Sequence, residues 1–304
     1  MIRMLSWKSR LTIRVTSDLL LILLLHSSYF IIKVLRHKQL GLHFNDDTIK
    51  LPLKADTIST SGVGLYSYSL PVLTVSSIYF QMRLLLPQII GVELIIAVCR
   101  RFVTNKTNEW RQTFFFMYNF VVTFLIAAGV SLLLTMLIKY TFGRLRPHFL
   151  DVCQPDVLPS AAKLYVDSYT CRGTNKRAVS NAFLSFLSAH ASSSAVGVTY
   201  AVLYLQQRVH LRIAPLVRPL IQTIYICSCF FVVFTRFTDF KHHATDLIGG
   251  LFLGFLCAIV FFLHHLNDTT NGTLTQLEHT EPVFHYGDHA GEHRGMETTR
   301  AFCA

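Results

Sequence analysis

Charge is scarce in this chain. Asp, Glu, Lys and Arg make up 15% of its 304 residues, against about 25% in soluble domains. A soluble cytosolic enzyme is therefore a poor fit. Cysteine is sparse too: the seven residues form no CxxC pair, which excludes a disulfide scaffold. No internal repeat is visible. No small-x-small cleavage site follows the basic N-terminus (Arg3, Lys8, Arg10, Arg14), so the first apolar run reads as an uncleaved anchor rather than a signal peptide. The polar loops contain no Asp, Glu, His or Cys cluster with metal-ligand spacing, so neither metal nor cofactor is expected. The 28 Lys and Arg exceed the 17 Asp and Glu to give a net charge of +11. These charges lie between apolar runs instead of gathering on one polar face, which excludes a nucleic-acid partner and fits the positive-inside pattern of membrane loops.

What the chain has instead is apolar length. The AVILMFWYC set reaches 52%, which excludes a disordered polypeptide. A bilayer-crossing helix needs about 20 mostly apolar residues. The expected fold is all-α, a polytopic membrane bundle of six transmembrane helices. Five spans run from about Ser17 to Leu35, Thr113 to Ile138, Ala191 to Leu205, Leu216 to Phe234 and Leu247 to His264. The remaining stretch, Thr57 to Val98, is too long for one span and awkward for two. Removing residues 76–88 leaves one ordinary span, so that segment reads as an insertion. The domain organisation follows: a cytosolic N-terminus over 1–16, a six-span domain over 17–264, and a disordered cytosolic tail over 265–304. Arg100, Arg101, Lys106 and Arg111 mark one further cytosolic loop, and Arg208 and Arg212 another. That leaves loops 36–56, 139–187 and 235–246 on the extracytoplasmic side. Cys153 and Cys171 share one of these loops, in an oxidising compartment, and are expected to pair.

Three polar clusters fall where lipid would penalise them. Lys139 to Arg146 and Pro147 close the third span. Ser188-Ala189-His190 opens the fourth, at a helix start that offers free N–H groups to an anion. Arg236 ends the fifth, and His242 and Asp246 open the sixth. Each has a plainer reading. The cations could snorkel to the interface, Ser188 could serve only as an N-cap, and His242 with Asp246 could be an (i, i+4) pair on a helix surface. Taken together they supply two histidines, a carboxylate and three separated cations on one side of the membrane. That set suits phosphoryl transfer through a phosphohistidine. The cations neutralise the transferring group, one histidine attacks phosphorus and the other protonates the leaving alkoxide.

Lys139-x6-Arg146-Pro147, Ser188-Ala-His190 and Arg236-x5-His242-x3-Asp246 resemble the three signature motifs of the type 2 phosphatidic acid phosphatase superfamily. The stretches Phe44-Asn-Asp-Asp-Thr-Ile-Lys50, Gly143-Arg-Leu-Arg-Pro-His-Phe-Leu-Asp-Val-Cys153 and Thr238-Asp-Phe-Lys-His-His243 are similar to its six-span lipid phosphate phosphatase branch. The resemblance implies His242 as nucleophile, Asp246 as its partner, and His190 as general acid and then base. It implies phosphate binding by Lys139, Arg146, Arg236, Ser188 and the backbone of Ala189. His243 is the tandem neighbour, and the Arg-x5-His spacing selects His242. The implied activity is a metal-free phosphatidate phosphatase-type hydrolase acting on phosphatidate, lysophosphatidate and sphingoid-type lipid phosphates. Its partners would be these lipids and the bilayer, in the plasma membrane or an endomembrane. A homo-oligomer is left open. Two positions depart from the family: Ala189 replaces a glycine and Thr235 a serine. The alternative is a weakly active or inactive lipid-binding scaffold of the same family.

Overall fold

The computed structural model describes residues 7–34, 40–74, 107–157, 165–208 and 215–278. It is mostly helical. The long helices are α1 (Trp7–Val34), α2 (60–74), α3 (Thr107–Phe142), α6 (Ala189–Arg208), α7 (Val217–Thr238) and α8 (Ala244–Glu278). Two short helices, α4 (Phe149–Cys153) and α5 (Lys176–Ala182), and a two-stranded ribbon of β1 (Leu42–His43) and β2 (Tyr165–Val166) lie in the connections. The chain divides into two compact units, Met1–Asn267 and Asp268–Ala304. The second contains the end of α8.

Among the described residues, four helices are long and apolar enough to cross a membrane: Leu11–Val34, Met117–Phe142, Val217–Thr238 and Ala244–Asn267. Their outward faces are apolar, with Leu20, Phe234 and Phe252 each more than 60% exposed. Leucine and phenylalanine spread over whole helix faces mark a surface that meets lipid rather than water. Helix α6 corresponds to the expected fourth span but carries Ser192, Ser194 and Thr199, all buried. Its polar groups face protein, so the helix sits inside the bundle. Of the stretch 57–98 only the beginning is described, as α2; the expected insertion at 76–88 lies outside the described residues. Helix α8 runs beyond the expected end at His264 to Glu278, so the first part of the expected disordered tail is helical.

Lipid tails are as apolar as side chains, so helices in a bilayer associate through close packing rather than through water exclusion. Two kinds of contact provide it here. Phe120 and Phe124 on α3 meet Tyr200 and Tyr204 on α6 and Phe262 on α8 in a buried aromatic cluster. The Phe120–Tyr204 and Phe124–Tyr200 centroids are 4.7 and 5.3 Å apart. Below them, α8 lies against α6 through glycine. A Cβ on Gly250 would sit 2.6 Å from the Ser188 carbonyl and 3.0 Å from Ala191 Cβ. Only a residue without a side chain lets the two helix starts approach, and the Ser188 N–H then donates to the Asp246 carbonyl at 3.1 Å.

The connections build a small second core at the same end of the bundle. Leu42, Ile49, Phe149, Tyr169, Ala182 and Phe183 are among its buried members. A disulfide joins Cys153 to Cys171, beside the antiparallel bridge between Pro155 and Cys171. The loops 40–58, 143–157 and 165–188 thereby form one cap over the ends of α3, α6, α7 and α8.

Candidate active site

Lys139 lies in the last turn of α3, which ends at Gly143 with φ 61°. Glycine takes this left-handed conformation without steric cost and turns the chain out of the helix. The buried Lys139 ammonium donates to the carbonyls of Leu184 and Ser185 at 3.0 and 3.2 Å. Arg146 reaches the Leu184 carbonyl from the other side, through Nε and Nη2 at 3.4 and 3.3 Å. The Leu184 carbonyl therefore holds Lys139 and Arg146 together.

The second cluster begins α6. Ser188 is buried, and its hydroxyl accepts the Ala191 N–H at 3.4 Å, so it caps the helix in addition to any role toward a ligand. Ala189 is not among the residues with positive φ. The methyl that replaces the family's glycine therefore causes no backbone strain. His190 Nε2 is buried and has no partner among the described residues. Its ring lies in the field of Arg236, Asp56 and Arg146.

The third cluster is the most heavily constrained. The Arg236 guanidinium is 1% exposed, donates from Nη1 to Asp56 at 2.9 Å and from Nη2 to Asp239 at 2.7 Å, and leaves Nε buried without a partner among the described residues. Segment 51–58 straps across this region. Leu51 N–H donates to the Pro147 carbonyl, Leu53 N–H to Asp151, and Thr57 through both N–H and hydroxyl to Asp239 at 2.8 Å each. Lys241 donates to the Lys54 carbonyl and lies 3.5 Å from Asp56. Burial alone would raise the Asp56 carboxyl; Lys241 and Arg236 outweigh it and hold the pKa below the ordinary carboxylate value. Between α7 and α8, Phe240 adopts φ 56°, a conformation that costs a non-glycine residue roughly 1 kcal/mol or more. It is held by His148 Nδ1, which donates to the Phe240 carbonyl at 2.7 Å, and by the Lys54 ammonium, 3.9 Å above its ring.

This turn delivers the tandem histidines to Asp246. The expectation placed His242 and Asp246 on one helix face. The structure corrects the reason: α8 starts at Ala244, so His242 lies in the preceding turn and Asp246 in the first helical turn. The carboxylate is fully buried and receives the Ser185 hydroxyl at 2.5 Å, the His243 N–H at 3.0 Å and the Arg144 guanidinium at 2.6 Å. His242 Nδ1 stands 3.7 Å from Asp246 Oδ2, and His243 Nδ1 stands 3.3 Å from the same oxygen. The rings differ in surroundings. His242 is 3% exposed and faces Lys139 and Arg146. His243 lines an open cleft of about 200 Å³ with His43, Asp46 and Arg144. Burial pushes the His242 pKa well below the ordinary histidine value; Asp246 opposes this, and Lys139 and Arg146 add to it. Its imidazole is neutral at neutral pH, as a nucleophile must be.

A family comparison places this geometry. Residues 120–269 match the PAP2 superfamily. The chain is 33% identical to phospholipid phosphatase 2 of Homo sapiens over 219 residues, covering 72% of this chain and 70% of the relative. It is also 33% identical to phospholipid phosphatase 1 of Mus musculus over 243 residues, covering 77% and 78%. The chain belongs to the PAP2 superfamily. Its relatives place it on the phospholipid phosphatase branch, and its apolar helices make it a membrane protein. No solved structure matches it.

All the expected site residues of this PAP2 chain lie at the cap end of the bundle: Lys139, Arg146, Ser188, Ala189, His190, Arg236, His242 and Asp246. Four residues of the site were missed. Arg144 stands two places before Arg146 in the cluster from Lys139 to Arg146, of which the motif spacing singles out only the two end cations. Ser185 precedes the second motif with no distinguishing neighbour. Asp56 and Asp239 are single carboxylates in short polar segments. Asp239 lies within the quoted Thr238-Asp-Phe-Lys-His-His243 stretch, whereas nothing local marks Asp56, which meets Arg236 from 180 positions away.

Proposed function

We propose that this chain is an integral-membrane lipid phosphate phosphatase that hydrolyses phosphomonoesters of phosphatidate, lysophosphatidate and sphingoid-type lipids. The relatives' names carry phospholipid phosphatase activity, and the gathering of Lys139, Arg146 and Arg236 near the buried His242 and the half-buried His190 supports it here. In this reading six spans cross the bilayer, both termini are cytosolic, and the cap faces the extracytoplasmic side of the plasma membrane or an endomembrane.

His242 Nε2 attacks phosphorus. The P–O bond to the lipid alcohol breaks as the P–N bond forms, and His190 passes a proton to the departing oxygen. Asp246 stabilises the positive charge that develops on His242. His190, now neutral, takes a proton from water as the water oxygen attacks phosphorus. The P–N bond breaks, inorganic phosphate leaves and both imidazoles return to their starting state. Lys139, Arg146, Arg236 and the N–H groups at the start of α6 would neutralise the equatorial oxygens. These cations are covalent parts of the chain, so the reaction proceeds without added metal.

Phosphate release from lipid phosphates in detergent micelles, measured in EDTA, tests this reading. Activity should persist in chelator and vanish in His242→Ala. In His190→Ala, a nitrophenyl phosphate, whose leaving group needs no proton, should still phosphorylate the enzyme. Acid-labile, alkali-stable phosphoprotein should then accumulate. Activity that EDTA abolishes and Mg²⁺ restores would overturn the metal-free mechanism. Wild-type protein that binds lipid phosphates but releases no phosphate would favour the inactive scaffold.

A further inference from the structure

We propose that Asp56 is a built-in stand-in for phosphate: its carboxylate occupies Arg236 and Lys241 in the empty site and surrenders them to the substrate's phosphoryl oxygens. The proposal rests on the reading of Arg236 as a phosphate-binding residue. It adds a residue that sets phosphate affinity and governs release of the product.

The argument begins with the donors of Arg236. Both Nη groups are committed to carboxylates, while Nε is buried and has no partner among the described residues. A guanidinium binds phosphate best through two parallel N–H bonds. It gains little by adding a dianion while two carboxylates already neutralise it. One carboxylate therefore has to yield.

The two carboxylates are unequal. Asp239 is 9% exposed, lies one turn from Arg236, and also holds both the N–H and the hydroxyl of Thr57. Releasing it would strand three donors. Asp56 is 48% exposed, and among the described residues its carboxylate meets two cations, Arg236 at 2.9 Å and Lys241 at 3.5 Å. The backbone beside it is pinned at Leu53 and Thr57. A side-chain rotation therefore frees Arg236 without unfolding the strap.

The carboxylate also stands where a phosphoryl group would have to go. Asp56 acts electrostatically on Arg146 and on His190, in addition to Arg236 and Lys241. Arg146, His190 and Arg236 are groups that the proposed reaction gathers around phosphorus. Once hydrolysis leaves inorganic phosphate there, a tethered carboxylate competes with it at high effective concentration. Asp56 returns to Arg236 as phosphate departs.

The test uses detergent-solubilised full-length protein and two probes, orthovanadate and inorganic phosphate. Inhibition constants, KM and kcat are measured for wild type, Asp56→Asn, Asp56→Ser and Asp56→Glu. Removing the competing charge should tighten both probes by about tenfold in Asn and Ser. KM should fall with them, and kcat should fall as phosphate release slows. Asp56→Glu should restore wild-type constants. Tighter binding is a gain that a damaged fold does not produce. If wild type is active and the probes bind equally or more weakly to Asp56→Asn and Asp56→Ser, the stand-in role is wrong and Asp56 only orients Arg236. If wild type neither hydrolyses a lipid phosphate nor binds vanadate, the functional reading itself fails.

Discussion

The two sides of Asp246 are built differently. On one side His242 is buried in the field of Lys139 and Arg146, and Arg146 also acts on His190 together with Arg236. On the other, His243 opens onto a cleft with His43, Asp46 and Arg144. By distance alone His243 has the better claim on the carboxylate, at 3.3 Å against 3.7 Å. By environment His242 does, because only its side gathers the cations that a transferring phosphoryl group requires. Proximity to a carboxylate is thus a weaker mark of a nucleophile than the charge that surrounds its other nitrogen. The closed side is suited to chemistry, and the open side is suited to holding Asp246 in place.

Replacing each histidine separately is the most direct way to break this contrast. His242→Ala removes the group that forms the covalent bond, and turnover should fall on the order of 10⁴-fold or more. His243→Ala keeps the backbone N–H that donates to Asp246 and should cost about tenfold or less. Steady-state kinetics and peptide mapping of trapped phosphoenzyme check both. Label on His243, or equal losses in the two variants, would reverse the assignment.

Arg144 sharpens the comparison from the open side. Its guanidinium is 39% exposed and holds the fully buried Asp246 at 2.6 Å, with Thr245 on the same nitrogen at 2.6 Å. Removing it takes a full positive charge from that carboxylate and leaves the Ser185 hydroxyl and the His243 N–H as its donors, which costs on the order of 1–3 kcal/mol. In Arg144→Gln, kcat should fall on the order of 10²-fold while KM changes little. Loss of the nearby positive charge also favours protonated His242. The acid limb of the pH–rate profile should therefore move to higher pH. Arg144→Lys should recover part of both effects. A loss confined to KM would instead make Arg144 a substrate contact.

Much of this was legible in the sequence, and what was not has a common cause. The apolar runs are long enough to declare α1, α3, α7 and α8, because a bilayer imposes one length and one composition. The three polar clusters stand out because charge in such runs is costly. The strap 51–58 is different. Lys54, Asp56 and Thr57 look like ordinary loop residues, and their partners Thr238, Arg236 and Asp239 lie about 180 positions further on. The pairing of His242 with Asp246 was anticipated for the wrong reason, since an (i, i+4) spacing does not say where a helix begins. Phe240 in a left-handed conformation sets that beginning, and phenylalanine gives no hint of it.

The smallest expected effect concerns how that turn is held. His148 is 3% exposed and its Nδ1 donates to the Phe240 carbonyl. Burial pushes its pKa down from 6.5 to about 4, the Phe240 bond opposing the shift and Arg146 and Lys241 adding to it. The folded protein therefore resists protonating a group that the unfolded chain protonates below pH 6.5. A histidine with a depressed pKa contributes stability that is complete above 6.5 and is lost as pH falls from 6.5 toward 4. Thermal unfolding in detergent should show melting temperature declining through that window. His148→Gln, which retains a donor for Phe240 but has no proton to gain, should flatten the decline while slightly lowering stability at neutral pH. An unchanged acid slope in His148→Gln would mean that other groups set it. The Phe240 turn would then depend on the Lys54 contact rather than on a neutral imidazole.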